Sequence, residues 1–242
     1  MRGILRDYPR FAWENLEDRA RVADSTLKHE LAVLDVKAAI SCALRKEPAC
    51  ELVEFPTWPV LFQFQASQPP KPGAQPRRVL IKPDGFLRLY HTEQGEVSEH
   101  FFFLEVDRST EPRDTLALRA LGYGDFYRRG GLALRYGYTA QDYGEFPFRA
   151  LYVLPNEERR NNMAERLLQN TPPILTMVWL TTFEEVTTDP LGAIWMRPRD
   201  YRDITEGTAF DPRRPPERIY RRQPEREELV AEKLMKLRLF EE

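Results

Sequence analysis

Three acidic residues have the types and spacing that hydrolysis of a phosphodiester would use. Asp84 follows Pro83 between two apolar segments, and Glu105 and Asp107 close the apolar run 101–104. Side chains alternate along a strand, so Glu105 and Asp107 project from one face. If the strand opened by Asp84 pairs with that one, three carboxylates gather at the polar end of a buried sheet. Carboxylates held together raise one another's pKa unless a cation sits among them. A hard divalent ion, Mg2+ or Mn2+, suits the place, because it takes one or two carboxylates with substrate phosphate oxygens and acidifies an attacking water. Charged strand ends are also common, and Glu105 or Asp107 could pair with Lys82, Arg108 or Arg119 instead. Spacing leaves both readings open.

Other polar and aromatic groups stand near this set in the sequence. His29 and Glu30 lie on a helix about 100° apart, so at most one of them faces the acids. A helix-to-sheet hydrogen bond and a role beside the acids are both open to His29. Arg119 cannot act as a base but can hold a phosphate. Tyr123 and Tyr127 follow it one turn apart and read as core or groove-lining residues. Tyr136, Tyr138 and Tyr143 lie in a Gly-rich stretch and could stack on bases if exposed.

The elements that would position these residues follow from hydrophobic periodicity. Leu27, Leu31, Leu34, Ala38 and Cys42 recur at helical spacing, which predicts an amphipathic helix over 27–44, with Ser25 or Thr26 as cap. A strand is expected over 60–65, then a proline-rich loop over 65–78. Strand signals return at 79–81, 85–90 and 101–107, and the polar turn at 91–100 suggests antiparallel pairing. The run 101–104 is apolar on both faces, so its strand should be central and covered by helices. A helix over 110–129, a strand over 148–154, a helix over 156–169 and a strand over 174–182 complete a mixed α/β layout.

From residue 190 onward the chain is rich in arginine and proline. Residues 212–222 hold five arginines against one glutamate, which reads as a phosphate-contacting arm or a solvated linker. A terminal helix is expected over 224–242, where Leu229, Val230, Leu234 and Leu237 form an apolar stripe for the domain's own surface or a partner groove. The expected division is an extension over 1–26, a core domain over 27–200 and the arm with its helix over 201–242.

Composition narrows the classes. Thirty-six Lys and Arg against 38 Asp and Glu leave a net charge of −2 over 242 residues. That excludes a histone-like basic protein but not a local arginine patch. Cys42 and Cys50, with three histidines and no Cys-x-x-Cys pair, exclude a structural zinc or disulfide scaffold and suit a reducing, cytoplasmic setting. No apolar run is long enough for a membrane span, and the N-terminus lacks the apolar stretch of a secretion signal, so neither secretion nor membrane insertion is expected.

Pro83-Asp84 followed by Glu105-x-Asp107 in this helix and strand order resembles the restriction-endonuclease-like nuclease superfamily, whose signature is Pro-Asp followed by Asp/Glu-x-Lys. More narrowly, the chain resembles the replication-relaxation family of bacterial plasmid and mobile-element proteins. The similar stretches are Leu-Lys-His-Glu-Leu-Ala-Val-Leu-Asp-Val from Leu27, Ile-Lys-Pro-Asp-Gly from Ile81, Phe-Leu-Glu-Val-Asp-Arg-Ser-Thr-Glu from Phe103, the helix carrying Arg119 and Tyr123, and Phe-Arg-Ala-Leu-Tyr-Val-Leu from Phe148 with Glu158-Arg159 after it.

The resemblance implies a nuclease-like core and DNA as partner, with Asp84, Glu105 and Asp107 as metal ligands and Arg119 contacting phosphate. Two departures accompany it. Asp107 stands where the superfamily has the lysine that positions the attacking water. Only 26 residues precede the first helix, where family members often carry a winged helix. Metal-dependent cleavage of plasmid or mobile-element DNA is therefore one expectation. A DNA-binding or protein-assembly factor that has lost the chemistry is the other.

Overall fold

The computed structural model describes residues 24–68, 77–109, 111–206, 230–231 and 234–240. Helix α1 (Asp24–Leu44) leads into β1 (Cys50–Glu54), β2 (Phe64–Gln68), β3 (Arg77–Ile81), β4 (Gly85–Glu93) and β5 (Glu96–Val106). Then come α2 (Arg113–Arg128), the short α3 (Gly131–Arg135), a 3-10 turn (Ala140–Glu145), β6 (Phe148–Leu154), α4 (Glu157–Leu168), β7 (Val178–Thr182), α5 (Phe183–Thr188) and α6 (Pro198–Glu206).

Five strands form one mixed sheet in the order β1-β4-β5-β6-β7, while β2 and β3 pair in a separate ribbon. The pairs β1-β4 and β4-β5 are antiparallel, and β5-β6 and β6-β7 are parallel. This is the expected mixed α/β sheet flanked by helices.

The central strand β5 explains the layering. Phe101 and Phe103 pack on one side with Leu116, Ala120 and Tyr123 of α2 and Met163 and Leu167 of α4. Phe102, Leu104 and Val106 pack on the other with Val33, Val36 and Ile40 of α1. A strand apolar on both faces must be covered on both, and each phenylalanine fully buried stabilises by about 1.5–3 kcal/mol. The β4-β5 turn needs two residues, Gln94 and Gly95, both at positive φ (52° and 86°). That twist suits a tight hairpin, so the polar segment 91–100 is mostly strand rather than turn.

Several sequence expectations need correction. Leu27, Leu31, Leu34, Ala38 and Cys42 all lie on the exposed side of α1, and the buried stripe is Val33, Val36, Ile40 and Leu44. The helix carries two apolar stripes, and the sheet takes the one formed by Val33, Val36, Ile40 and Leu44. The strand expected over 60–65 begins only at Phe64. Phe62 reaches the core from the loop before it, its ring 5.0 Å from that of Phe103. The proline-rich loop is shorter than expected, since β2 runs to Gln68 and β3 begins at Arg77. Strand β1 was not foreseen.

Within 224–242, residues 230–231 are helical, but 234–240 are not, because Leu237 exchanges backbone hydrogen bonds with Trp195. Val230 and Leu239 are fully buried in the two cores. The arginines of 212–222 lie outside the described residues. Among the described residues no helix is long and apolar enough to cross a membrane.

Candidate functional site

The register Gly85↔Leu104 places Asp84 just beyond the start of β4, where its amide donates to the Leu104 carbonyl at 2.9 Å. Its carboxylate is held from two sides. Oδ2 accepts the Val106 amide at 2.7 Å, and Oδ1 lies 3.0 Å from Nε2 of His29 on α1. The hydrogen bond to Asp84 raises the His29 pKa, against the lowering effect of burial. Glu30 has its pKa raised by burial and by the nearby Asp84 charge.

Glu105 projects to the opposite side, into the space under α2, and is 1% exposed. Arg119 Nη1 donates to Oε2 at 2.9 Å, and the Tyr123 hydroxyl donates to Oε1 at 2.6 Å. These two donors sit four residues apart, one turn of α2, so a single helix face serves both oxygens. Burial still wins: the Glu105 pKa is raised to about 7, with Arg119 opposing and Asp84 adding repulsion. The other Arg119 arm donates to Glu111 Oε1 at 2.9 Å, and Glu111 Oε2 is buried with no hydrogen-bond partner among the described residues.

Asp107 directly follows β5 on the Glu105 side of the sheet but turns toward α4. Its Oδ2 accepts from Arg159 Nε at 2.7 Å, and its Oδ1 accepts the Ser109 amide at 2.8 Å. Arg159 also donates to the Glu111 carbonyl at 2.6 Å. Asn156 positions this arginine, because its side chain caps α4 by accepting the Arg159 amide at 2.9 Å.

Each acid therefore has its own partner within the protein: the His29 imidazole for Asp84, and the guanidiniums of Arg119 for Glu105 and Arg159 for Asp107. Among the described residues no group of three or more His, Cys, Asp and Glu side chains is placed to hold a metal ion. The donor set gives the reason. The carboxylate oxygens are turned onto guanidinium, imidazole, phenol and amide donors, and a divalent ion would have to displace Arg119 or Arg159 to reach two of the three acids. In this arrangement the residues do not fit Mg2+ or Mn2+.

Sequence reasoning named Arg119 among the candidate partners of the acids but missed Arg159 and Glu111. Glu158-Arg159 stood out only as a similar stretch, and no spacing rule links a residue of α4 to the end of β5. Lys82 and Arg108, the other cations named, are exposed at the same end of the sheet. Tyr123 and Tyr127 lie in and against the core, and Tyr138 and Tyr143 are exposed.

A family model described as replication-relaxation matches residues 7–140, more than half of the chain. The matched span includes His29, Asp84, Glu105, Asp107 and Arg119 and ends before Arg159. No curated protein and no solved structure matches the chain.

Proposed function

The chain belongs to the replication-relaxation family, and from that premise we propose that it serves replication of a plasmid or mobile element by holding DNA on a nuclease-like core without cutting it. One observation carries this reading: the three acids that a nuclease would turn onto a metal are each held from within the protein, Glu105 and Asp107 by ion pairs with Arg119 and Arg159 and Asp84 by a hydrogen bond with His29. The helix and strand order supports the nuclease-like core. The absence of the lysine at position 107, and the presence there of an aspartate tied to Arg159, argues against activation of a water.

DNA retention would rest on exposed cations. Lys82 and Arg108 neighbour Asp84 and Asp107 in sequence, and Arg77 and Arg78 are exposed on β3. Phosphate contacts of this kind hold a duplex without reading its sequence. Gel retention of duplex DNA at increasing salt is the test. Each phosphate contact contributes about 0.9 to the fall of log K with log salt, so K82A/R108A should lower that slope by about 2. Equal slopes would remove these residues from the interface.

A second reading, metal-dependent phosphodiester cleavage, is favoured by the repulsion Asp84 exerts on Glu105. It requires Arg119 to leave Glu105. Manganese-dependent cleavage lost in Glu105→Gln would establish it.

A further inference from the structure

Helix α1 carries a second apolar stripe that neither core uses. Leu27, Leu31, Leu34 and Ala38 follow one another at alternating steps of four and three residues. The three leucines are 55%, 52% and 47% exposed, and Ala38 is exposed beside them. At about 100° per residue the stripe lies roughly 150° around the helix from Val33, Val36, Ile40 and Leu44, which pack on the sheet. It therefore points away from the domain. Leucines aligned on one exposed face differ from the scattered apolar groups of an ordinary surface.

Alternate steps of four and three are the heptad spacing of a coiled-coil seam. With Leu31 and Ala38 at a and Leu27 and Leu34 at d, Lys28 and Asp35 fall at e, and Glu30 and Lys37 fall at g. These flanking charges select the partner and its direction. A parallel second copy would set Glu30 of one helix against Asp35 of the other, which repel. An antiparallel second copy packs Leu31 on Leu34 and Leu27 on Ala38, and it sets Lys28 against Asp35 twice, the two pairs related by the two-fold axis. The next layer, Asp24 against Ser41, is polar and ends the seam.

Lys28 and Asp35 are both exposed. The Lys28 ion pair with Asp24 at 2.6 Å lies on the open surface, with side chains 58% and 76% exposed, where such a pair holds weakly. Lys28 can therefore meet a facing carboxylate. Glu30 and Lys37 also stand in complementary order, but the Lys37 ammonium is 3.4 Å from the Thr57 hydroxyl and lies over the Phe55 ring. That flank avoids like charges, and the pairing does not require it to form an ion pair.

We propose that two copies of this chain associate through their α1 helices, antiparallel, with Leu27, Leu31 and Leu34 of each between them. Self-complementary charge flanking a self-complementary apolar seam is what an isologous contact needs. Two heptads fall short of a standard interface of about 1,600 Å², so a dissociation constant on the order of micromolar is expected. Nothing in the pairing depends on the acidic centre or on DNA.

Sedimentation of the full chain from about 1 to about 200 µM tests it. The mean mass should rise from one chain to two and stop there, because a two-fold contact closes on itself. Leu31→Gln with Leu34→Gln should raise the dissociation constant about tenfold or more. At the dilute end its circular dichroism and thermal melt should match the native chain, since both side chains lie outside the cores. Lys28→Glu or Asp35→Lys alone sets like charges face to face and should weaken the dimer about threefold to tenfold, and the two together should restore it. A chain that stays monomeric throughout, its stripe taken by a segment of the same chain or by another protein, would overturn the proposal. So would a dimer indifferent to Leu31 and Leu34, or charge variants that fail to compensate.

Discussion

Glu105→Gln should flatten a loss of stability that the native protein suffers as pH rises. Burial lifts the Glu105 carboxyl from 4.5 to about 7, even with Arg119 and Tyr123 donating to it. An acid whose folded pKa lies above its unfolded value keeps a proton that the unfolded chain has released. The native state therefore binds more protons between about pH 4.5 and 7, and stability falls across that window and is level above it. At about 1.4 kcal/mol per unit the fall approaches about 3 kcal/mol. Glutamine retains an oxygen to accept from the Tyr123 hydroxyl and leaves Arg119 its 2.9 Å bond to Glu111.

Urea unfolding of both proteins from about pH 4 to about pH 8.5 gives the difference directly. His29 adds a slope of the same sign: its raised pKa stabilises below 6.5, and that stability is lost as pH rises through the folded value. Because His29 is present in both proteins, its contribution largely cancels in the difference. The variant should gain on the native protein by about 3 kcal/mol between acid and neutral pH. A difference independent of pH, or one that moves against the variant, would refute the reasoning.

Arg159→Ala leaves the buried Asp107 carboxylate without its 2.7 Å donor and should cost about 3–5 kcal/mol by urea unfolding, with Asp107→Asn in the same chain restoring part of it. Gly122→Ala should cost about 1–3 kcal/mol, because a Cβ there would stand 2.0 Å from Ile81 Cδ1, where α2 crosses β3; removing that methyl with Ile81→Val should recover some of the loss. Leu239→Ala should lower stability by about 2–5 kcal/mol, since this side chain is fully buried although it lies near the chain terminus.

The layering was legible wherever a single strand or helix carried its own pattern. The doubly apolar run 101–104 placed β5 at the centre, and the alternation of Glu105 and Asp107 put both on one face. Which stripe of α1 faces the sheet was not legible, because Leu27, Leu31 and Leu34 are as hydrophobic as Val33, Val36 and Ile40, and only the shape of the sheet chooses between them. Strand β1 escaped because Cys50–Glu54 is only five residues long, breaks the polar–apolar alternation at Leu52-Val53 and lies at a sheet edge between Pro48 and Pro56. At the site, each acid could be read from the chain, but the cation opposite it could not: Arg159 lies 52 residues from Asp107 and meets it only because α4 packs beside α2. Long-range ion pairs of this kind leave no periodicity.

We propose that partners within the protein, rather than a metal, hold Asp84, Glu105 and Asp107, and that the protein retains DNA without cutting it. Incubation of the purified chain with end-labelled single-stranded, duplex and branched DNA, in Mn2+ and in chelator, tests this most directly when each mixture is resolved on native and denaturing gels. Retained complexes should weaken steeply with salt, and strands should stay full length under both conditions. Strand cleavage that requires Mn2+ and disappears in Glu105→Gln would contradict it.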